Sequence, residues 1–315
     1  MGKSSRTKTR DRAAASEGAV GPRQPCPCGS GRRYKACHGA VGGAAPVFVA
    51  RPFAGLPSEC DVIALRELVP SATAPIRLRG EDRPVRVCSL LPMAAPGLVR
   101  ETGEIWLGLQ VQHNFGDPAR DLGAVLERAL AYVEAGGSGI VGLTDPPGEG
   151  PRLQDLVEPE PWEITVHEGF DFWLDDVDSD PTASAAALEQ ANAAAQPTMR
   201  LAGVEAAYWT SVGSKEHLRW VMPHPEGPLL DALARLHASG GDGIAEGSRL
   251  VGMFRAHGLL APVWDLPVGT GAAVLEEPAA RFAADLEQTL ADSSPLTTAE
   301  RSARAGLANR QVTIR

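Results

Sequence analysis

Four residues near the start of the chain can act together on a metal ion. Cys26 and Cys28 are one residue apart, and after eight more residues Cys37 and His38 follow as neighbours. Thiolate sulfur and imidazole nitrogen are the donors that suit tetrahedral zinc. Each pair forms a short chelate, and the spacer lets the second pair turn back to close the site. Gly29 and Gly31 allow backbone conformations that a side chain forbids. Backbone N–H groups in such a turn help to hold several negative sulfurs near one ion. Four protein ligands leave no position for water, so one Zn2+ held by Cys26, Cys28, Cys37 and His38 is structural rather than catalytic. Its binding folds a segment too short to bury a core. Cys60 and Cys88 stand apart, and five cysteines, an odd count, argue against a disulfide framework.

Beyond this cluster, the chain shows little local catalytic signature. There is no Gly-x-Ser-x-Gly elbow, His-Glu-x-x-His pair, phosphate loop or dinucleotide fingerprint. Gly136-Gly137-Ser138-Gly139 and Gly269-Thr270-Gly271 are faint phosphate-loop echoes that helix termination and a turn explain. Cys60 lies between Glu59 and Asp61, which disfavour a thiolate. Cys88 alternates with Val85 and Val87 and reads as a small core residue. His113 and His224 fall at strand-to-helix turns, His217 at an exposed strand start, and His237 and His257 in last helical turns. His167 lies among acids, which favour its charged form. Asp175, Asp176, Asp178 and Asp180 cluster beside Phe170, Phe172 and Trp173, but Pro181 stands where a calcium loop needs Gly, so the segment reads as a solvated acidic loop.

Residues Cys26, Cys28, Gly29, Ser30, Gly31, Tyr34, Lys35, Cys37, His38 and Gly39 closely resemble the SEC-C motif, named for the zinc-binding C-terminal tail of the SecA preprotein translocase ATPase. The resemblance covers about 20 of the 315 residues. It implies an appended zinc module that docks on a macromolecular partner; in SecA the motif meets a chaperone and the ribosome. No translocation motor is implied, because the chain is far too short and the motif is N-terminal. The whole chain also resembles a high-GC bacterial family of SEC-C proteins of unknown function.

The elements that must carry these residues differ along the chain. Residues 1–40 hold nine Lys or Arg and two acids, a charge of +7, whereas the whole chain carries −9 and the remainder therefore −16. Such a basic head suits an anionic partner. With 34 Gly and 26 Pro, the body suits many short elements joined by turns. The fold expected is α+β, a small SEC-C module before a body of two degenerate β-β-α-(α)-β repeats. Residues 1–22 are read as a disordered basic tail, 23–40 as the zinc motif and 41–57 as a linker. Residues 58–180 and 181–293 form a first and a second α+β unit, and 294–315 a flexible C-terminal tail.

Helices are expected after Ser58, from Pro118 to Gly136, at 226–239, at 183–195 and at 277–290. Strands are expected at 85–90, 105–111, 204–211 and 217–222. The repeat rests on helix 120–135 answering helix 226–239, each ending in a Gly-rich turn. It rests also on Arg152-Leu153 recurring as Arg249-Leu250, and Pro161-Trp162-Glu163-Ile164 as Val263-Trp264-Asp265-Leu266. From Leu153 to Met199 there are eleven acids and no Lys or Arg, a patch that suits a basic partner.

No apolar stretch reaches the length of a membrane span, and the charged start has no secretory pattern, so a cytoplasmic protein is expected. Two functions remain. The first is a zinc-bearing adapter whose head, through Arg32, Arg33 and Lys35, docks on a protein or ribosomal partner. The second is an enzyme whose dispersed active site leaves no local signature, with SEC-C as a targeting appendage. The motif search favours the adapter, and no small-molecule substrate is identifiable.

Overall fold

Helix α1 (Glu59–Glu67) turns Val62, Ile63 and Leu65 inward, and all three are buried. A computed structural model describes residues 23–24, 33–36, 48–174 and 181–309, and all structural statements concern these residues. After α1, strands β1 (Ala72–Leu78) and β2 (Glu81–Cys88) form an antiparallel hairpin. Strands β3 (Gly97–Val99) and β4 (Ile105–Gly108) follow, then helix α2 (Pro118–Glu134) and strand β5 (Gly139–Val141). A short helix α3 (Leu153–Leu156) and strand β6 (Thr165–Val166) complete the first sheet, whose order is β5-β3-β4-β2-β1-β6.

The direction of these strands sets the position of a cleft. β2 and β4 are parallel, and β5 runs with β4 because both are antiparallel to β3. Three strands therefore finish at one edge, where α2 begins. Asp117 caps α2, its carboxylate accepting from the Arg120 N–H, and Pro118 occupies the first turn, where no N–H is needed. Gly123 lets α2 lie on the chain beside it, since a Cβ there would sit 2.3 Å from the Pro151 carbonyl oxygen.

The second sheet has five strands in the order β10-β11-β9-β8-β7. After helix α4 (Pro181–Ala194) come β7 (Thr198–Arg200), β8 (Ala207–Val212) and β9 (Lys215–Trp220). Helix α5 (Glu226–Ser239) ends at Gly240, whose φ of +77° reverses the chain. Strands β10 (Arg249–Ala256) and β11 (Leu259–Leu266) and helices α6 (Glu276–Leu290) and α7 (Thr298–Asn309) follow. The described residues thus form a mixed α+β protein with two sheets and seven helices.

α2 and α5 each carry the chain over one intervening antiparallel strand: β4-α2-β5 spans β3, and β9-α5-β10 spans β11. The intervening strand precedes the crossover in the first sheet and follows it in the second. Other resemblances in sequence fall on unlike elements. Arg152-Leu153 opens a short helix whereas Arg249-Leu250 lies in β10, and Trp162 lies outside any strand whereas Trp264 lies in β11.

One core draws on both sheets. Ile63, Leu65, Ile105 and Leu107 pack with Tyr208, Val221, Leu259 and Ala261. A second gathers α5, α6 and α7 over the other sheet around Trp220, Trp264 and Phe282, with Trp264 and Phe282 edge to face at 5.3 Å. A third packs Trp106 with Phe170, Phe172 and Trp173, so these aromatics are buried rather than part of a solvated loop; Asp175, Asp176, Asp178 and Asp180 lie outside the described residues.

Two segments expected to be loose are packed where they are described. Phe53 and Leu56, from the segment read as a linker, are buried in the first core. Residues 298–309, from the segment read as a flexible tail, form α7, which buries Leu307 and pairs Arg304 with Asp231. Apolar side chains too sparse to show a period still enter a core when a neighbouring surface is there to receive them.

Candidate functional site

A cavity of about 260 Å³ opens at the edge where β2, β4 and β5 finish. Five separate segments wall it: the end of α1, the turn 93–96, the chain 108–114, the first two turns of α2, and residues 140–144. Its sides are mostly apolar, and a few polar groups converge on it, as in many ligand sites.

The turn is held in an unfavourable conformation. Met93 and Ala94 have φ of +58° and +51°, which costs a residue with a Cβ about 1 kcal/mol or more. Gly108 makes room for this turn, because a Cβ there would lie 2.3 Å from the Ala95 carbonyl oxygen. The Gly108 N–H then donates to the Pro96 carbonyl at 3.0 Å.

Two charged groups stand in the cavity wall. Arg66, in the last turn of α1, has a side chain only 8% exposed. One terminal nitrogen donates to the Leu109 carbonyl, but its Nε has no hydrogen-bond partner and lies 3.4 Å from Glu67. Asp121, in the first turn of α2, is 9% exposed and accepts from the Phe115 N–H at 2.8 Å. Burial pushes its carboxyl up to about 6, with the Asp117 charge adding to the rise and the Phe115 hydrogen bond, Arg66 and Arg120 opposing it. Gln110 fixes the end of α1 against this chain by donating to the Leu65 and Val69 carbonyls at 2.8 and 2.7 Å.

A second groove shares Asn114 and Pro118 with this cavity and runs past Glu67 to the β10–β11 hairpin. There Glu67 accepts from His257 at 2.8 Å. Burial alone would raise the Glu67 carboxyl, but the hydrogen bond and charge of His257, with Arg66, hold it below the ordinary range.

The segment read as metal-binding is described only in part. Cys26, Cys28, Cys37, His38 and Arg32 lie outside the described residues, whereas Arg33 and Lys35 lie within them. Tyr34–Ala36 form one tight helical turn, and the Tyr34 N–H donates to the Gln24 carbonyl at 2.8 Å. That bond brings together the chain that leads into Cys26 and the chain that leads into Cys37. Among the described residues, no group of three or more His, Cys, Asp or Glu side chains is placed to hold a metal ion, and no helix is long and apolar enough to cross a membrane.

Residues 52–315 match a family of unknown function, DUF5926. The chain belongs to this family. Residues 23–40 match the SEC-C motif. Over 28 residues, 9% of this chain and 3% of the relative, the chain is 75% identical to the protein translocase subunit SecA of Myxococcus xanthus. Over 27 residues, again 9% and 3%, it is 63% identical to the SecA subunit of Rubrobacter xylanophilus. The chain thus spans only a few per cent of the length of these relatives. No solved structure matches it.

The cavity lies wholly within the DUF5926 region, and of the described histidines only His113 lines it. His167 is bonded to Thr73 Oγ1 at 2.8 Å. His217 is half-buried against Asp265 at 3.0 Å, not exposed. His224 lies 3.2 Å from Glu287, and His237 pairs with Asp242 at 2.6 Å. His257 belongs to the β10–β11 turn with φ of +48°, not to a helix. Cys60 and Cys88 are buried, and burial raises both thiols, so neither is poised as a nucleophile.

The two glycine-rich segments serve internal contacts. Gly136 turns α2 off with φ of +76°, and the Gly137 N–H donates to the Tyr132 carbonyl at 2.9 Å. Tyr132 is itself 40% exposed. The N–H groups of Gly269 and Gly271 donate to the buried Glu216 carboxylate at 2.6 and 2.9 Å, so the loop already holds an anion of its own.

Sequence reading missed Arg66 and Asp121. A signal for Asp121 was present, because it lies four and eight residues before Val125 and Ala129 and so shares their apolar face. A carboxylate on an inward face asks for a reason.

Proposed function

We propose that the chain is a zinc-bearing adapter of the cytoplasm. One structural Zn2+ sits on Cys26, Cys28, Cys37 and His38, and the module presents Arg32, Arg33 and Lys35 to an anionic surface on a protein or the ribosome. The observation that carries this reading is the SEC-C match over residues 23–40, with 75% identity over 28 residues to a SecA subunit. The donor set of three thiols and one imidazole fits zinc and leaves no open position, so the ion holds the fold of the module and does no chemistry. The bond from Tyr34 to Gln24 supports closure of the loop that the ligands need.

The charge of +7 on residues 1–40 against −16 on the rest supports a local, electrostatic attachment. In this reading the body is two related units divided near residue 180, each keeping the crossover of α2 or α5 over one antiparallel strand. A second reading keeps the module as a targeting appendage and gives the body a ligand of its own. The cavity at Arg66 and Asp121 favours it.

Elemental analysis of the purified chain should give one zinc per chain, and the double substitution Cys26→Ser, Cys37→Ser should abolish it. The triple substitution of Arg32, Arg33 and Lys35 by Ala should reduce co-sedimentation with ribosomes at low salt. Wild-type binding should itself fall steeply as salt rises, because each neutralised phosphate releases a counterion. Full zinc retention by the double variant refutes the metal site, and absence of co-sedimentation at low salt refutes ribosome docking.

A further inference from the structure

The cavity of about 260 Å³ is a built feature of the body and lies outside the zinc module. It occupies the crevice beyond the carboxyl ends of β2, β4 and β5, where sheets with helical crossovers commonly receive ligands. Its apolar wall comes from Leu122 and Val125 of α2 and Leu143, and its mouth carries two large exposed apolar residues, Met93 at 74% and Ile140 at 45%. Exposed apolar side chains around a concave, apolar site are what a partly apolar ligand covers.

Arg66 sits more than nine-tenths buried in this wall, and its Nε is left without a hydrogen bond. A buried donor without a partner costs about 1–3 kcal/mol. Glu67 lies 3.4 Å from this Nε, an ion pair without a hydrogen bond, and its carboxylate also accepts from His257.

We propose that this cleft binds a small amphipathic monocarboxylate, its head on Arg66 beside Asp121 and its apolar chain along Leu122, Val125 and Leu143. The proposal goes beyond the adapter reading and does not depend on it.

Charge selects the head group. The first turn of α2 offers no cradle for phosphate, since Asp117 already accepts from the Arg120 N–H. The charged groups that act on Asp121 are Asp117 and Arg120 at the start of its own helix and Arg66 from α1; His113 shares the cavity wall, and Arg152 is bonded through its Nε to Asp117 at 2.7 Å. Arg152 is taken by Asp117, and Arg66, though near Glu67, is the cation that lines the cavity. One cation balances one negative charge, and a dianion would meet the surrounding carboxylates. A neutral Asp121 can donate a hydrogen bond to the bound carboxylate, whereas an ionised one repels it.

The volume lies below the range usual for drug-sized ligands, so the chain of the ligand is short. The strained turn at Met93 and Ala94 and the buried acid are both features that cost stability and collect at binding sites.

The test uses octanoate on the full-length protein, read by calorimetric titration, with octanol and octylamine as controls. Octanoate should bind, and octanol and octylamine should bind at least tenfold more weakly. Because only the fraction with neutral Asp121 is competent, the apparent Kd should rise about 50-fold from pH 6 to pH 8. Asp121→Asn, which keeps an acceptor for the Phe115 N–H, should remove that dependence. Arg66→Gln should abolish binding, and because Arg66 also braces Leu109, Thr144→Trp at the exposed rim supplies a second block that leaves the core alone. Equal binding of octanol and octanoate, a pH profile unchanged in Asp121→Asn, or full binding by a folded Thr144→Trp variant would overturn the proposal.

Discussion

Asp121 shows how a single buried acid reports its purpose. A carboxyl held at about 6 in the fold titrates near 3.9 in the unfolded chain. The native state therefore binds the proton more tightly than the unfolded state. Its contribution to stability is fully present below about pH 4 and is lost as pH rises through 6. Above pH 7 the ionised carboxylate costs about 2 kcal/mol, allowing for water at the cavity mouth. Asp121→Asn should raise the urea-unfolding free energy by about that amount at pH 8, and the gain should shrink to nothing near pH 4. A constant difference across this range would show that the acid is not held in its neutral form. Glu216 illustrates the opposite arrangement. Burial tends to raise it, but the N–H groups of Gly271 and Gly269 and the Trp209 indole hold it below the ordinary range. A structural acid is thus surrounded by donors, whereas Asp121 has one.

At the scale of elements, the long helices were legible because their apolar residues repeat at helical spacing over three or more turns. α2, α5 and α6 fall within a few residues of their expected bounds. The short strands β3 and β5, three residues each, carry too few positions for a period of two to show. β1 carries Pro75, which demotes a strand in any sequence reading. Ser58 precedes α1 as a cap should, yet its hydroxyl instead accepts from the Trp162 N–H at 2.8 Å, a partner 104 residues away. The cavity was illegible for the same reason: its five walls are distant in sequence and meet only when the strands align. What holds α2 over them is closeness, and Gly123 measures it. Gly123→Ala would place a methyl group 2.3 Å from the Pro151 carbonyl oxygen, whose backbone must then move. The helix gains propensity from Ala, so a mere surface position would become more stable by up to about 1 kcal/mol. Here a loss of about 1–3 kcal/mol is expected in chemical denaturation, as for an overpacked core. A gain would show that α2 has room to spare.

At the scale of the molecule, the question is where the body begins. The two sheets cannot be parted cheaply, because Asp61 on α1, only 2% exposed, accepts from Arg200 at 3.0 Å twice and from the Tyr208 hydroxyl at 2.6 Å. The same junction takes in the arm before α1. Phe53 is fully buried and meets the His257 ring edge-on at 5.3 Å. The Val49 N–H donates to the Gly116 carbonyl at 2.9 Å, so the arm also braces the chain beside the cavity. The SEC-C segment is different in kind: its one described backbone bond across the loop, Tyr34 to Gln24, is internal. A chain shortened to begin at Phe48 should therefore unfold in a single cooperative transition close to that of the full protein. A chain begun at Ser58 loses Phe53 and should be weakened by about 3–5 kcal/mol, the range for emptying a buried aromatic site. That is a large part of the 5–15 kcal/mol available to an ordinary domain. Chelator should leave the main transition of the full-length chain in place. If removing residues 1–47 alone costs the body its cooperativity, then the SEC-C segment is part of the core and cannot act as a separate docking knob.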